Sequence, residues 1–201
     1  MNKYGLVLAC AISVASTPAL ACKDKSGIKV KEIYGYESTE VMNTPTGVVI
    51  DSDQNIYVAE TASSYIKKYD SEGNLLTIIG ERGNKPGQLN APVEMYIKND
   101  TLYVGEVGAG RLSRFSLEGQ FIDNVGADDL EGPRSVAVDD TGTMYALDEF
   151  SNRIVTFSPE GEKIAECASP YMFFPNDIDY KDGNLYVANA SAHNILKFDT
   201  N

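Results

Sequence analysis

Short β-prone runs with alternating apolar and polar positions recur along the chain, as in Ile154-Val155-Thr156-Phe157 and Ile66-Lys67-Lys68-Tyr69. That period of two fits strands with one buried face. After Ala21 no stretch carries a long apolar period of 3.6 residues, so almost no helix is expected there. Turn residues divide the runs. Asp182-Gly183 and Asp140-Thr141-Gly142 mark one kind of turn, and Glu72-Gly73, Glu118-Gly119 and Glu160-Gly161 mark another. Such pairs between β-prone runs are hairpin signals.

The runs are copies of one unit. Four segments align on a proline: Pro45 to Asp51, Pro92 to Asp100, Pro133 to Asp140 and Pro175 to Asp182. Each is followed by a second run, namely Asn55 to Glu60, Leu102 to Glu106, Met144 to Asp148 and Asn184 to Asn189. The prolines stand 47, 41 and 42 residues apart. In the first three units a fourth strand is expected near residues 75–79, 121–125 and 163–167, whereas the last unit ends at Asn201 without one.

Residues 80–92, Gly-Glu-Arg-Gly-Asn-Lys-Pro-Gly-Gln-Leu-Asn-Ala-Pro, resemble the linker between NHL repeats. Val58-Ala59-Glu60 and Asn152-Arg153-Ile154-Val155-Thr156-Phe157 resemble the same family's signature block, and the resemblance covers Thr44 to Asp199. It implies an all-β fold, a β-propeller of four blades, each a four-stranded antiparallel sheet. The block's acidic position holds Glu60, Glu106, Asp148 and then Asn189, and its basic position holds Tyr65, Arg111, Arg153 and Asn194. With the chemistry varying in this way, no common role is expected of those slots.

Residues 28–34, Ile-Lys-Val-Lys-Glu-Ile-Tyr, alternate and precede a repeat proline, as an outer strand would. They are expected to complete blade four and close the ring, which hides sheet edges that invite aggregation. The alternative is an incomplete ring of the six-bladed type that pairs with another chain.

The amino terminus modifies this picture. Lys3, an apolar run from Leu6 to Val14 and Ala19-Leu20-Ala21 read as a signal peptide over residues 1–21, which leaves a propeller over 22–201. The run is too short to span a bilayer, so no transmembrane segment is expected. Export to a bacterial periplasm or the extracellular space follows. The net charge of −12, from 17 basic and 29 acidic residues, argues against nucleic acid as a partner. Of three cysteines Cys10 leaves with the leader, so Cys22 and Cys167 are left to form one bridge in an oxidising compartment. At the first mature position Cys22 is alternatively a lipid anchor.

Candidate chemistry is sparse. His193 is the sole histidine, too few for a zinc cage or for any triad not built on it, and no G-x-S-x-G elbow occurs. Asp51-Ser52-Asp53-Gln54-Asn55 mimics the start of a calcium loop, but Ile56 and Ala62 stand where glycine and glutamate belong. The second residue after each repeat proline, Gly47, Glu94, Ser135 or Asp177, should open the innermost strand and face the channel. Glu94 and Asp177 fall in opposite blades and, with the amide of Asn176, suit a hard cation such as Ca²⁺. Tyr171, Phe173 and Phe174 form an apolar run between blades three and four, a candidate ligand-binding patch. Tyr57, Tyr103, Tyr145 and Tyr186 recur at one strand position, where packing between blades explains them. The expected function is a non-catalytic binding or scaffold propeller that recognises a protein or small ligand through its loops. The alternative is a metal-assisted lactonase- or esterase-like hydrolase with its site in the central channel.

Overall fold

The computed structural model describes residues 42–200. Blade one is built from β1 (Pro45–Ile50), β2 (Ile56–Glu60), β3 (Tyr65–Tyr69) and β4 (Leu75–Ile79). Blade two follows with β5 (Pro92–Lys98), β6 (Thr101–Glu106), β7 (Arg111–Ser116) and β8 (Phe121–Val125). Blade three contains β9 (Pro133–Val138), β10 (Met144–Asp148), β11 (Arg153–Phe157) and β12 (Lys163–Ala168). Blade four has β13 (Pro175–Lys181), β14 (Asn184–Asn189) and β15 (Asn194–Asp199) among the described residues. Each blade is an antiparallel meander in chain order, and the only helical piece among the described residues is the 3-10 turn Ala190–Ala192 of blade four. The four-bladed, all-β architecture agrees with the sequence reading. The strand expected at 28–34 lies outside the described residues.

Turn chemistry sets the hairpins. Gly73, Gly119 and Gly161 take φ values of 93°, 87° and 93° and donate their N–H to Asp70, Ser116 and Ser158 carbonyls. Glycine alone enters that region freely. Each such turn leaves a bulge at the same place, after Lys68, Arg114 and Thr156. The calcium-like stretch at Asp51 is an ordinary turn: Asp51 accepts from the Asn55 backbone N–H and side-chain amide, both at 2.8 Å.

Three apolar seams hold the blades together. Tyr57, Ala59, Ile66 and Ile79 of blade one pack on Met95, Leu102, Val104 and Phe115 of blade two. Tyr103, Leu112 and Val125 then meet Val136, Val138, Met144 and Phe157 of blade three. Tyr145, Leu147 and Ile154 meet Ile178, Leu185 and Val187 of blade four. An inner blade is thus buried on both faces, which is why β10 reads as an unbroken run rather than a clean alternation. Tyr57, Tyr103 and Tyr145 are seam residues as expected, and the Tyr57 hydroxyl lies 3.1 Å from both the Asp51 carboxylate and the Leu117 carbonyl oxygen of the next blade.

Candidate functional site

The innermost strands β1, β5, β9 and β13 stand side by side in that order, each entered from the same end of the propeller. The second residues after their opening prolines, Gly47, Glu94, Ser135 and Asp177, lie at the channel mouth. Ser135 Oγ donates to Asp177 Oδ1 at 2.7 Å, and the Ile178 N–H donates to the same oxygen at 2.9 Å. A Cβ placed on Gly47 would stand 3.1 Å from Glu94 Oε2, so the Glu94 carboxylate covers that glycine. Burial, and after it the negative charge of Asp177, pushes the Glu94 carboxyl above the ordinary glutamate value; the Arg134 guanidinium pulls the other way and loses. Arg134 also donates to Glu149 Oε2 at 3.2 Å, while its Nε is buried with no hydrogen-bond partner among the described residues.

Glu94 and Asp177 therefore feel each other's charge across the mouth. Asn176 is the bulged residue of β13, unpaired between Pro175 and Asp177, and is exposed. No group of three or more His, Cys, Asp or Glu side chains among the described residues is placed to hold a metal ion. Because the Glu94 pKa is raised in the folded state, its contribution to stability is full below the ordinary glutamate pKa and is lost as pH rises through the folded value. Glu94→Gln is expected to raise the urea midpoint near neutral pH and leave it unchanged well below the ordinary glutamate pKa. A parent more stable than the variant at neutral pH would show that Arg134 dominates. In the same samples Ca²⁺ bridging the two acids would raise the melting temperature of the parent only.

The signature slots share one structural job, contrary to the expectation from their varied chemistry. In every blade the slot on the second strand holds the loop that enters the innermost strand. Glu60 accepts from the Asn43 N–H at 2.9 Å, Glu106 from Asn90 at 2.6 Å, Asp148 from Gly132 at 2.8 Å and Asn189 from Phe173 at 2.7 Å. A neighbour on the third strand completes the clamp: Arg111 reaches Glu106 at 3.0 Å, Arg153 reaches Asp148 at 3.2 Å, and Asn189 donates to Asn194 at 2.8 Å. Blade one has Tyr65 in the basic slot, and its cation comes from Lys67, 2.9 Å from Glu60. Lys67 is two residues further along β3, hence on the same side of the strand. Arg111 and Arg153 also donate to carbonyls of the entering loop, at Asn84, Gln88 and Asp129.

The loop into blade four has two further fastenings. Asn189 donates to the Tyr171 carbonyl at 2.6 Å, and Asn152 of blade three accepts the Phe174 N–H at 2.6 Å. Met172 is buried in the seam, whereas Tyr171, Phe173 and Phe174 are 71%, 52% and 60% exposed. Phe150, 61% exposed, lies two residues from Asn152 in the β10–β11 turn, with its ring over Gly132. The sequence reading did not single it out. Its signal lay in the repeats, since Ala62, Gly108 and Ser191 hold the corresponding turn position and an aromatic there is anomalous. Glu149 links this aromatic surface to Arg134 and so to the channel mouth. His193 is exposed beside Asn194. Cys167 on β12 is exposed and has no bridging partner among the described residues; Cys22, its expected partner, lies outside them.

No protein-family profile matches the chain. The protein brain tumor of Drosophila melanogaster is 28% identical over 120 residues, 58% of this chain and 12% of that protein. Human NHL repeat-containing protein 3 is 25% identical over 140 residues, 59% of this chain and 40% of that protein. This chain therefore spans less than half the length of either relative. Among solved structures, a catalytically inactive virginiamycin B lyase from Staphylococcus aureus with quinupristin superposes with a TM-score of 0.63 at 18% identity, covering 78% of this chain and 55% of that one. That likeness is one of fold. No helix among the described residues is long and apolar enough to cross a membrane.

Proposed function

Since the chain is a β-propeller of NHL-type repeats, we propose that it is an exported, non-catalytic binding module whose partner is a protein. The partner docks on the end of the propeller that carries Phe150 and the loop through Tyr171, Phe173 and Phe174. One observation carries this reading. Three aromatic side chains of one loop are more than half exposed although the loop's backbone is pinned by Asn189 and Asn152. Aromatic groups held rigidly at a surface supply large contact area with little ordering cost, which is the profile of binding hot spots. The neighbouring acids Glu94, Asp177 and Glu149 favour a partner segment that mixes apolar with basic residues.

The test compares the parent with Tyr171→Ser/Phe173→Ser/Phe174→Ser as immobilised bait against extracytoplasmic extract, with bound proteins quantified by mass spectrometry. The bait is the exported form, whose intact mass is expected to begin at Cys22. A specific partner is expected to fall at least about tenfold with the variant, as loss of hot-spot residues predicts. The melting temperature should hold, because none of the three side chains is buried. A captured set that is the same for both baits would overturn the reading.

A further inference from the structure

Every seam between blades joins two kinds of face. The leading blade offers the face with Tyr57, Ala59 and Ile66, and the following blade offers the face with Met95, Leu102 and Val104. Repeat register assigns the equivalent residues in all four blades. Those on the following face are buried at Met95, Val136 and Ile178 (6%, 2% and 3% exposed), but their counterpart Val48 in blade one is 62% exposed and the next inward position, Ile50, 57%. Ile56 and Val58 beside them are only half-buried, whereas Leu102 and Val104 are fully buried. On the leading face Ile66, Leu112 and Ile154 are at most 2% exposed, yet Ile195 of blade four is 73% exposed and Tyr186 is the most exposed of the four repeat tyrosines. Among the described residues, then, blade one carries an uncovered following face and blade four an uncovered leading face.

A second, polar feature of the seams says what fits there. In blade one Lys68 Nζ lies 5.1 Å from the Tyr57 ring centre and donates at 3.0 Å to the Leu117 carbonyl, in the turn between the third and fourth strands of blade two. Arg114 of blade two does the same to the Pro159 carbonyl of blade three at 2.7 Å. Blade four repeats the donor half, with Lys197 Nζ 5.8 Å from the Tyr186 ring centre. The matching carbonyl, by register with Leu117 and Pro159, is that of Ser71 in blade one.

We propose that a second copy of this chain covers these faces: blade four of one copy packs on blade one of the other, Tyr186 and Ile195 meet Val48 and Ile50, and Lys197 donates to the Ser71 carbonyl. Two copies joined by two such head-to-tail seams close one eight-bladed ring, within the usual range of about 4–8 blades.

Light scattering on the eluting full chain is expected to give the mass of two chains. Val48→Asp/Ile50→Asp, which alters exposed side chains only, should return it to the mass of one with an unchanged circular dichroism spectrum. Mixing Lys197→Cys with Ser71→Cys protein under oxidation should give a chain-to-chain disulfide that Cys167→Ser does not remove. A single-chain mass at every concentration overturns the proposal, as does a two-chain mass indifferent to Val48→Asp/Ile50→Asp. So does a Ser71→Cys/Lys197→Cys double variant that forms its disulfide within one chain, because the ring then closes on itself.

Discussion

Glu106→Ala is expected to cost about 3–5 kcal/mol of folding stability, the range for breaking a buried ion pair from one side. Glu106 is fully buried and accepts from Arg111, from the Ser113 hydroxyl and from the Asn90 N–H. Its removal leaves the buried Arg111 without its counter-charge and the Asn90 N–H without an acceptor, while the two loop carbonyls that Arg111 also holds compensate only in part. The desolvation of the remaining cation accounts for most of the loss. Urea unfolding reads it directly. Glu106→Leu/Arg111→Met should recover most of the stability, since an apolar pair carries no buried charge. A loss under about 1 kcal/mol for the single variant would show that Arg111 finds another partner or reaches water, and the clamp would not be the fastening described above.

Gly47→Ala is the second large effect, at roughly 1–3 kcal/mol, the usual range for overpacking. The new methyl would stand 2.2 Å from the Val93 carbonyl oxygen, and that oxygen belongs to the backbone of β5, which has no rotamer to give. The strand β1 must back away from β5, which weakens the Thr46 hydroxyl's 3.2 Å hydrogen bond to the same oxygen and moves the Glu94 carboxylate. Ser135 and Asp177 occupy the equivalent position of their strands without such a conflict, so the requirement for glycine is local to the first seam. A thermal midpoint equal to that of the parent would mean that the inner strands are freer to shift than their packing implies.

Much of the fold was legible in the sequence because each repeat writes its strands and turns in local residues. Strands expected near 75–79 and 121–125 form over those residues, and the one at 163–167 extends by Ala168. The site was less legible, for reasons that differ by residue. The clamp residues vary between Glu, Asp and Asn, and column-by-column comparison hides that all accept a backbone N–H from the same loop. Lys67 escaped because a strand repeats every two residues, so a cation can leave its column and stay on its face. The apolar run with Phe174 reads as a candidate patch, whereas Phe150 stands alone in its turn and shows only when that turn is compared with Ala62, Gly108 and Ser191 of the other repeats. The pairing of Glu94 with Asp177 was within reach because both hold the same repeat position in alternate blades.

The clamps carry one more consequence. Each ties residues of a single repeat, with the loop donor and the acceptor of the second strand 17, 16, 16 and 16 residues apart. A blade thus brings the fastening of its own entering loop, while its neighbours supply an apolar wall and a few hydrogen bonds such as those of Lys68 and Arg114, so the energetics resemble those of a linear array. Duplication of one such stretch of gene carries the loop clamp with it, so that fastening needs no partner residue in another repeat. The substitution of Asn189 for the usual acid shows how far a copy can drift while the knot it ties remains the same.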